Sequence, residues 1–219
     1  MTEAEWLACT ELTPMESCLF HLGRSLGKRK WTLFHVACCR QIWPILTDWR
    51  CRRAVEIAEQ YVDGLASKEA LTAARDAVPV RHEKKWTIGS LARSVAGGSI
   101  GFSCEAAREL WLRQPGFDCN DTAADAIVML RQVEALRDIV GNPFHATLSP
   151  KTDWLLWNDG AVQKIAQAIY DERRFADLPA LADALEDAGY ADAWILAHLR
   201  GPTEHVRGCW ALDLLLRKY

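Results

Sequence analysis

The chain has no apolar run approaching the roughly 20 residues that cross a bilayer, so its sequence offers no membrane-spanning helix. It has no Cys-x-x-Cys pair. Its eight cysteines, Cys9, Cys18, Cys38, Cys39, Cys51, Cys104, Cys119 and Cys209, are scattered along 219 residues. That spread fits neither a small disulfide scaffold nor a zinc ribbon with two paired half-sites. Free cysteine behaves as a small hydrophobe, so these residues read as reduced core thiols. No run alternates polar and apolar residues as a half-buried strand would, and neither a repeat period nor a low-complexity segment is present. The glycines of Gly97-Gly98-Ser99-Ile100-Gly101 lack the Lys-Ser/Thr of a phosphate-binding loop. Positive charge is not in excess either. The net charge of −3 disfavours broad attraction to nucleic acid. The start, Met1-Thr-Glu-Ala-Glu-Trp6, has no basic and apolar leader pattern, which points to the cytoplasm.

Helical periodicity fills most of the chain. Leu33, Phe34, Ala37, Cys38 and Ile42 recur at three- and four-residue spacings, and Pro44 ends the pattern. Thr47 or Asp48 then caps a helix with Ala54, Val55, Ala58, Tyr61, Val62 and Leu65 on one side, and Ser67 caps another. Thr13-Pro14 reads as a cap followed by a proline at the first helical position. Asp121 caps a long helix that Gly141-Asn142-Pro143 stops. Phe144 to Trp157 reads as ordered loop or short turns, Asp159-Gly160 opens the next helix, Leu178 to Ala188 and Ala191 to Leu199 form a helix pair broken at Gly189, and a closing helix runs from near Val206 or Gly208 to Leu216. The expected fold is all-α, an irregular or repeat-like bundle of nine to ten helices. It is read as one domain over 1–219, with a candidate sub-domain boundary near 78–100.

Charge is uneven. Eight basic residues and one acid, Asp48, lie between Arg24 and Arg53, and seven acids with Arg173 and Arg174 lie between Asp171 and Asp192. The basic segment, interleaved with Trp31, Trp43 and Trp49, could touch phosphates through Arg50, Arg52 and Arg53, but no nucleic-acid-binding signature frames it. Asp183, Glu186 and Asp187 share a helix as any solvated acidic face does, without a Glu-x-x-His or His-Glu-x-x-His partner.

The densest chemistry lies near the C-terminal end, where His198, His205 and Cys209 fall within twelve residues. A continuous helix would put His205 and Cys209 on one face. Imidazole and thiolate are zinc donors, so these three residues are candidate ligands, with Cys119 or Cys38/Cys39 considered as the fourth. The same residues, with Asp213 or Asn158, supply the inventory of a cysteine nucleophile. Trp210 beside Cys209 argues for burial, which raises a thiol pKa and so disfavours that chemistry. Trp154, Trp157, Asn158 and Asp159, joined by Arg207, form the candidate contact surface, since loop tryptophans often anchor interfaces.

Gly141-Asn-Pro-Phe144, Trp157-Asn-Asp-Gly160, Leu181-Ala-Asp-Ala-Leu-Glu-Asp-Ala-Gly189 and His205-Val-Arg-Gly-Cys-Trp210 together resemble a large paralogous family of planctomycete proteins of the Gemmata type. Thr2-Glu-Ala-Glu-Trp-Leu7 and Phe34-His-Val-Ala-Cys-Cys-Arg40 extend the likeness over most of the chain. Leu181 to Gly189 also resembles the core of a short domain that accompanies leucine-rich and WD repeats, with Ala184 where that core has tryptophan. The resemblance implies an interaction module and assigns no catalytic residue. The expected function is therefore a non-catalytic protein-interaction or regulatory domain with a protein partner. A metal-dependent or cysteine-based enzyme on His198, His205 and Cys209 is the first alternative, and a nucleic-acid accessory protein acting through Arg24–Arg53 is the second.

Overall fold

A computed structural model of the chain describes residues 1–24, 26–79, 88–97, 103–112, 122–145 and 152–218. These residues form twelve α-helices and two short 3-10 turns, with no strand among them. The all-α class is as expected, and the helix count is above the expected nine to ten. The extra helix at the start, α1 (Glu3–Ala8), has a sequence signal of its own: Thr2 Oγ1 accepts from the Glu5 N–H while the Glu5 carboxylate accepts from the Thr2 N–H. That reciprocal Thr-x-x-Glu cap satisfies two otherwise orphaned donors.

The helices that follow are α2 (Leu12–His21), α3 (Lys28–Gln41), α4 (Trp49–Val62), α5 (Lys68–Ala77), α6 (Ile88–Gly97), α7 (Ser103–Leu112) and α8 (Thr122–Val140). After them come α9 (Thr152–Glu172), α10 (Leu178–Asp187), α11 (Ala193–Arg200) and α12 (Trp210–Leu216). Asp48 and Ser67 cap α4 and α5 as read from the sequence, whereas α2 begins at Leu12, two residues before Pro14. The expected cap at Asp121, residues 80–87 and 98–100 of the stretch 78–100, the glycines after Gly97, and Cys119 lie outside the described residues.

The chain divides into two compact units, Met1–Ala135 and Leu136–Tyr219. In the first, α3 packs against α4, α6 and α7. A helix enclosed on several sides buries more than one stripe, so Thr32 through Cys39 are all buried. The adjacent Cys38 and Cys39 are both fully inside although they point to different sides of α3. The basic segment is largely engaged within the unit. Arg29 pairs with Asp63 (2.9 Å) and Arg40 with the buried Glu59 (3.3 Å). Arg50 clasps Asp48 at 2.7 Å, and Arg52 donates to the carbonyls of Leu46 and Trp43 and stacks over the Trp43 ring.

The second unit packs α9 against α10 and α12, and α10 against α11, around Val162, Ile169, Tyr170, Leu181, Leu185, Ile195, Leu199 and Leu215. Here the expected loop over Phe144 to Trp157 is corrected. Phe144 and His145 form a turn, but helix begins at Thr152. α9 is then interrupted at 158–160, where Asn158 (φ 47°), Asp159 (φ 57°) and Gly160 (φ 74°) are successively left-handed. Gly141 ends α8 at φ 75°, and a Cβ added there would lie 3.0 Å from the Trp210 ring.

That close approach separates two glycines with similar dihedrals. Gly189→Ala (φ 84°, open space around the added Cβ) should lower stability by the left-handed penalty alone, about 1 kcal/mol. Gly141→Ala adds a clash with a buried indole and should lower it by about 2–4 kcal/mol. Chemical denaturation of both variants checks the ordering, and equal losses would refute the tight Gly141–Trp210 packing.

Candidate metal centre

Three separate segments of the second unit bring four donor side chains to one point. Asp138 lies in the last turn of α8, His198 in the last turn of α11, and His205 and Cys209 on the turn between α11 and α12. Their donor atoms all lie within 4.8 Å of one another. The pairing of His205 with Cys209 anticipated from their spacing is present, but not on a helix. Residues 201–209 are non-helical, and Cys209 is the cap position from which α12 starts. The Cys209 N–H donates to the Val206 carbonyl (3.0 Å), which folds the segment into a turn and brings Sγ back toward His205.

Asp138 is the hub, and the sequence reading missed it. A carboxylate only accepts, so the hydrogen-bond directions are fixed: His205 Nδ1 donates to Asp138 Oδ1 at 2.6 Å and His198 Nε2 to the same oxygen at 3.2 Å. The other oxygen, Oδ2, accepts the Val206 N–H at 2.8 Å, which locks the carboxylate plane. Cys209 Sγ lies 3.2 Å from His198 Nε2 and 3.9 Å from His205 Nδ1. The two imidazoles meet edge to face at 4.8 Å, and the Trp210 ring stacks beside His198 at 4.9 Å. Donors set tetrahedrally about a zinc ion at its usual bond lengths lie about 3.3–3.6 Å apart. The observed separations bracket that range, with the charged hydrogen bond between His205 and Asp138 the shortest.

Asp138 and Cys209 are buried, His205 is nearly so, and only His198 keeps an edge toward solvent, its side chain 17% exposed. Burial alone would push the Asp138 carboxyl up, but hydrogen bonds from His198 and His205, together with their charge, hold it down at about 2. Burial and the facing Asp138 carboxylate push the Cys209 thiol well above its ordinary value. A divalent cation among these groups reverses that preference, because a coordinated thiol ionises. His205 Nε2 is enclosed with no hydrogen-bond partner among the described residues, so this ring is held from its Nδ1 side.

The other residues singled out in the sequence do not converge here. Trp154 stands edge-on to Tyr190 at 4.6 Å against the core of the unit. Trp157 is half-buried, while Asn158 and Asp159 are exposed on the left-handed interruption, with Asp159 bonded to Lys164 at 2.6 Å. Arg207 is buried with its guanidinium 4.5 Å above the Tyr170 ring, so it packs inside the unit and is no part of an exposed surface. Cys38 and Cys39 belong to the first unit and are enclosed in its core. Among the acids read as a solvated face, Asp183 and Glu186 are exposed and share Arg200. Comparison with protein families, curated proteins and solved structures returned no match to this chain.

Removing the hub should be far more damaging than removing an exposed carboxylate. In chelator-containing buffer, Asp138→Ala strips the enclosed His205 and half-buried His198 imidazoles and the Val206 N–H of their acceptor and should lower stability by about 3–5 kcal/mol. Asp183→Ala, at the exposed Arg200 network, should lower it by less than about 1 kcal/mol. Urea denaturation followed by tryptophan fluorescence measures both, and similar losses would contradict the hub role.

Proposed function

We propose that this chain is a non-catalytic interaction or regulatory domain whose C-terminal unit is organised by one zinc-class divalent ion held by Asp138, His198, His205 and Cys209. The observation that carries the reading is the convergence of one carboxylate, two imidazoles and one thiol, donor atoms within 4.8 Å, from three chain segments in a largely enclosed interior. The donor set selects the metal class. Thiolate and imidazole suit zinc, whereas magnesium and calcium call for oxygen ligands throughout. Four protein donors close a tetrahedral sphere, the pattern of a structural centre, while catalytic zinc keeps a position open for water or substrate. A fully enclosed Cys209 with a raised thiol pKa also argues against a free cysteine nucleophile. With the ion turned inward, contact with a partner is left to the surface, where half-buried Trp157 and exposed Asn158 and Asp159 stand at a fixed backbone interruption.

The test uses the whole chain without a polyhistidine tag. One zinc per chain and a melting temperature lowered by roughly 10 °C on chelation are expected, the size anticipated for a ligand present far above its dissociation constant. Cobalt(II) should give intense tetrahedral visible bands with a sulfur charge-transfer band that Cys209→Ser removes. His198→Ala should lose stoichiometric metal. Failure of zinc and cobalt to bind, or retention of the sulfur band in Cys209→Ser, would refute the centre.

A further inference from the structure

The first unit carries a second polar feature, unrelated to the metal centre. Glu11 before α2, Glu16 and Phe20 on α2, Trp31 and His35 on α3, and Glu105 on α7 line one cleft of about 620 Å³. That volume lies within the range of small-molecule sites. We propose that this cleft binds a small organic cation, a primary ammonium or guanidinium group carried on a hydrocarbon stem.

Three carboxylates face the cleft, and the one arginine lining it, Arg108, is clamped by both its Nε and a terminal nitrogen onto Asp125. The chain therefore supplies little positive charge of its own to Glu11 and Glu16. Glu16 is half-buried and has neither an ion pair nor a hydrogen bond among the described residues. Burial raises its pKa, with His35 the one opposing influence. A carboxylate withdrawn from water in this way gains from an incoming cation more than an exposed one does.

His35 gives the independent observation. Its imidazole is only 4% exposed, lines the cleft, and makes no hydrogen bond among the described residues. A ring nitrogen in the cleft can accept an N–H from a bound donor. Trp31 lies nearly parallel to this ring, 6.0 Å between centroids at 21°, which fixes its plane. The Phe20 ring, 82% exposed, stands at the lip. Aromatic faces and carboxylates around an imidazole that can accept form the set that recognises an ammonium or guanidinium ion, whereas an anion would meet three like charges.

The proposal is tested by isothermal titration of the intact chain with 1,5-diaminopentane and with agmatine. Glutarate, of matching length and opposite charge, and Nα-acetyl-lysine methylamide, the same ammonium on a peptide backbone, are run beside them. Saturable one-to-one binding of an amine is expected. It should weaken at least tenfold in the Glu16→Gln, Glu105→Gln double variant, whose melting temperature is checked to stay close to that of the parent. Absence of saturable amine binding, comparable binding of glutarate, or unchanged affinity in the double variant would overturn it. Binding of the lysine amide but of neither free amine would also overturn it, by placing the cation on a partner chain. None of these outcomes depends on metal loading of the C-terminal unit.

Discussion

The buried carboxylate of Asp138 is the constraint on which the second unit depends. Its Oδ1 accepts from His198 and His205 and its Oδ2 from the Val206 N–H. One side chain thereby ties the end of α8, the end of α11 and the turn before α12 together. Withdrawn from water without these donors, it would bear the penalty of an uncompensated buried ion. With them, it dictates where each donor must sit. That requirement explains why the turn at 201–209 is ordered although it has no regular hydrogen-bonded ladder.

The packing around the hub follows from the same point. Trp210, one residue beyond Cys209, lies against His198 on one side and over Gly141 on the other. The glycine admits the indole because it has no Cβ, and its positive φ turns the chain at the end of the helix that carries Asp138. Asn142 continues the turn by accepting the Phe144 N–H at 2.9 Å. The segments 141–144 and 205–210, which stand out in the sequence as separate motifs, thus frame the two sides of one centre.

This also explains what was legible in the sequence. Apolar periodicity gave the all-α class and most helices, because each amphipathic stripe had a packing partner. His198, His205 and Cys209 were found because they lie close together in sequence. His205 and Cys209 are joined by a turn and not by the continuous helix their spacing predicts, and the turn serves the same end. Asp138 was missed because it lies sixty residues before His198, and no local pattern spans that distance. It did leave a local mark. It is an acid in the last turn of a helix, where the macrodipole disfavours negative charge, and it shares a row with the buried Ala135. A residue placed against its local preference, in a position its neighbours bury, is one that tertiary contacts have recruited. Arg207 failed in the opposite direction. Its charge suggested the surface, while its long stem and flat guanidinium suit the face of Tyr170.

The hub geometry bears on what the centre is for. His198 Nε2 has one proton, yet it lies 3.2 Å from both Asp138 Oδ1 and Cys209 Sγ. His205 Nδ1 faces the same carboxylate oxygen and the same sulfur. With both ring protons turned to the carboxylate, the thiol is left as a protonated neighbour, and burial beside that carboxylate keeps it so. As a purely hydrogen-bonded cluster the arrangement gains little, since an apolar core of the same volume would be at least as stable. In the proposed metal-bound form the same groups would serve as ligands. His198 Nε2 and His205 Nδ1 would then present lone pairs, the thiol would become a thiolate, the carboxylate would keep its second oxygen for Val206, and the His205 ring proton would sit on the enclosed Nε2. The proposed coordination therefore rests on the donor set and its spacing, one carboxylate, two imidazoles and one thiol within 4.8 Å of one another, and not on any failure of their hydrogen bonds.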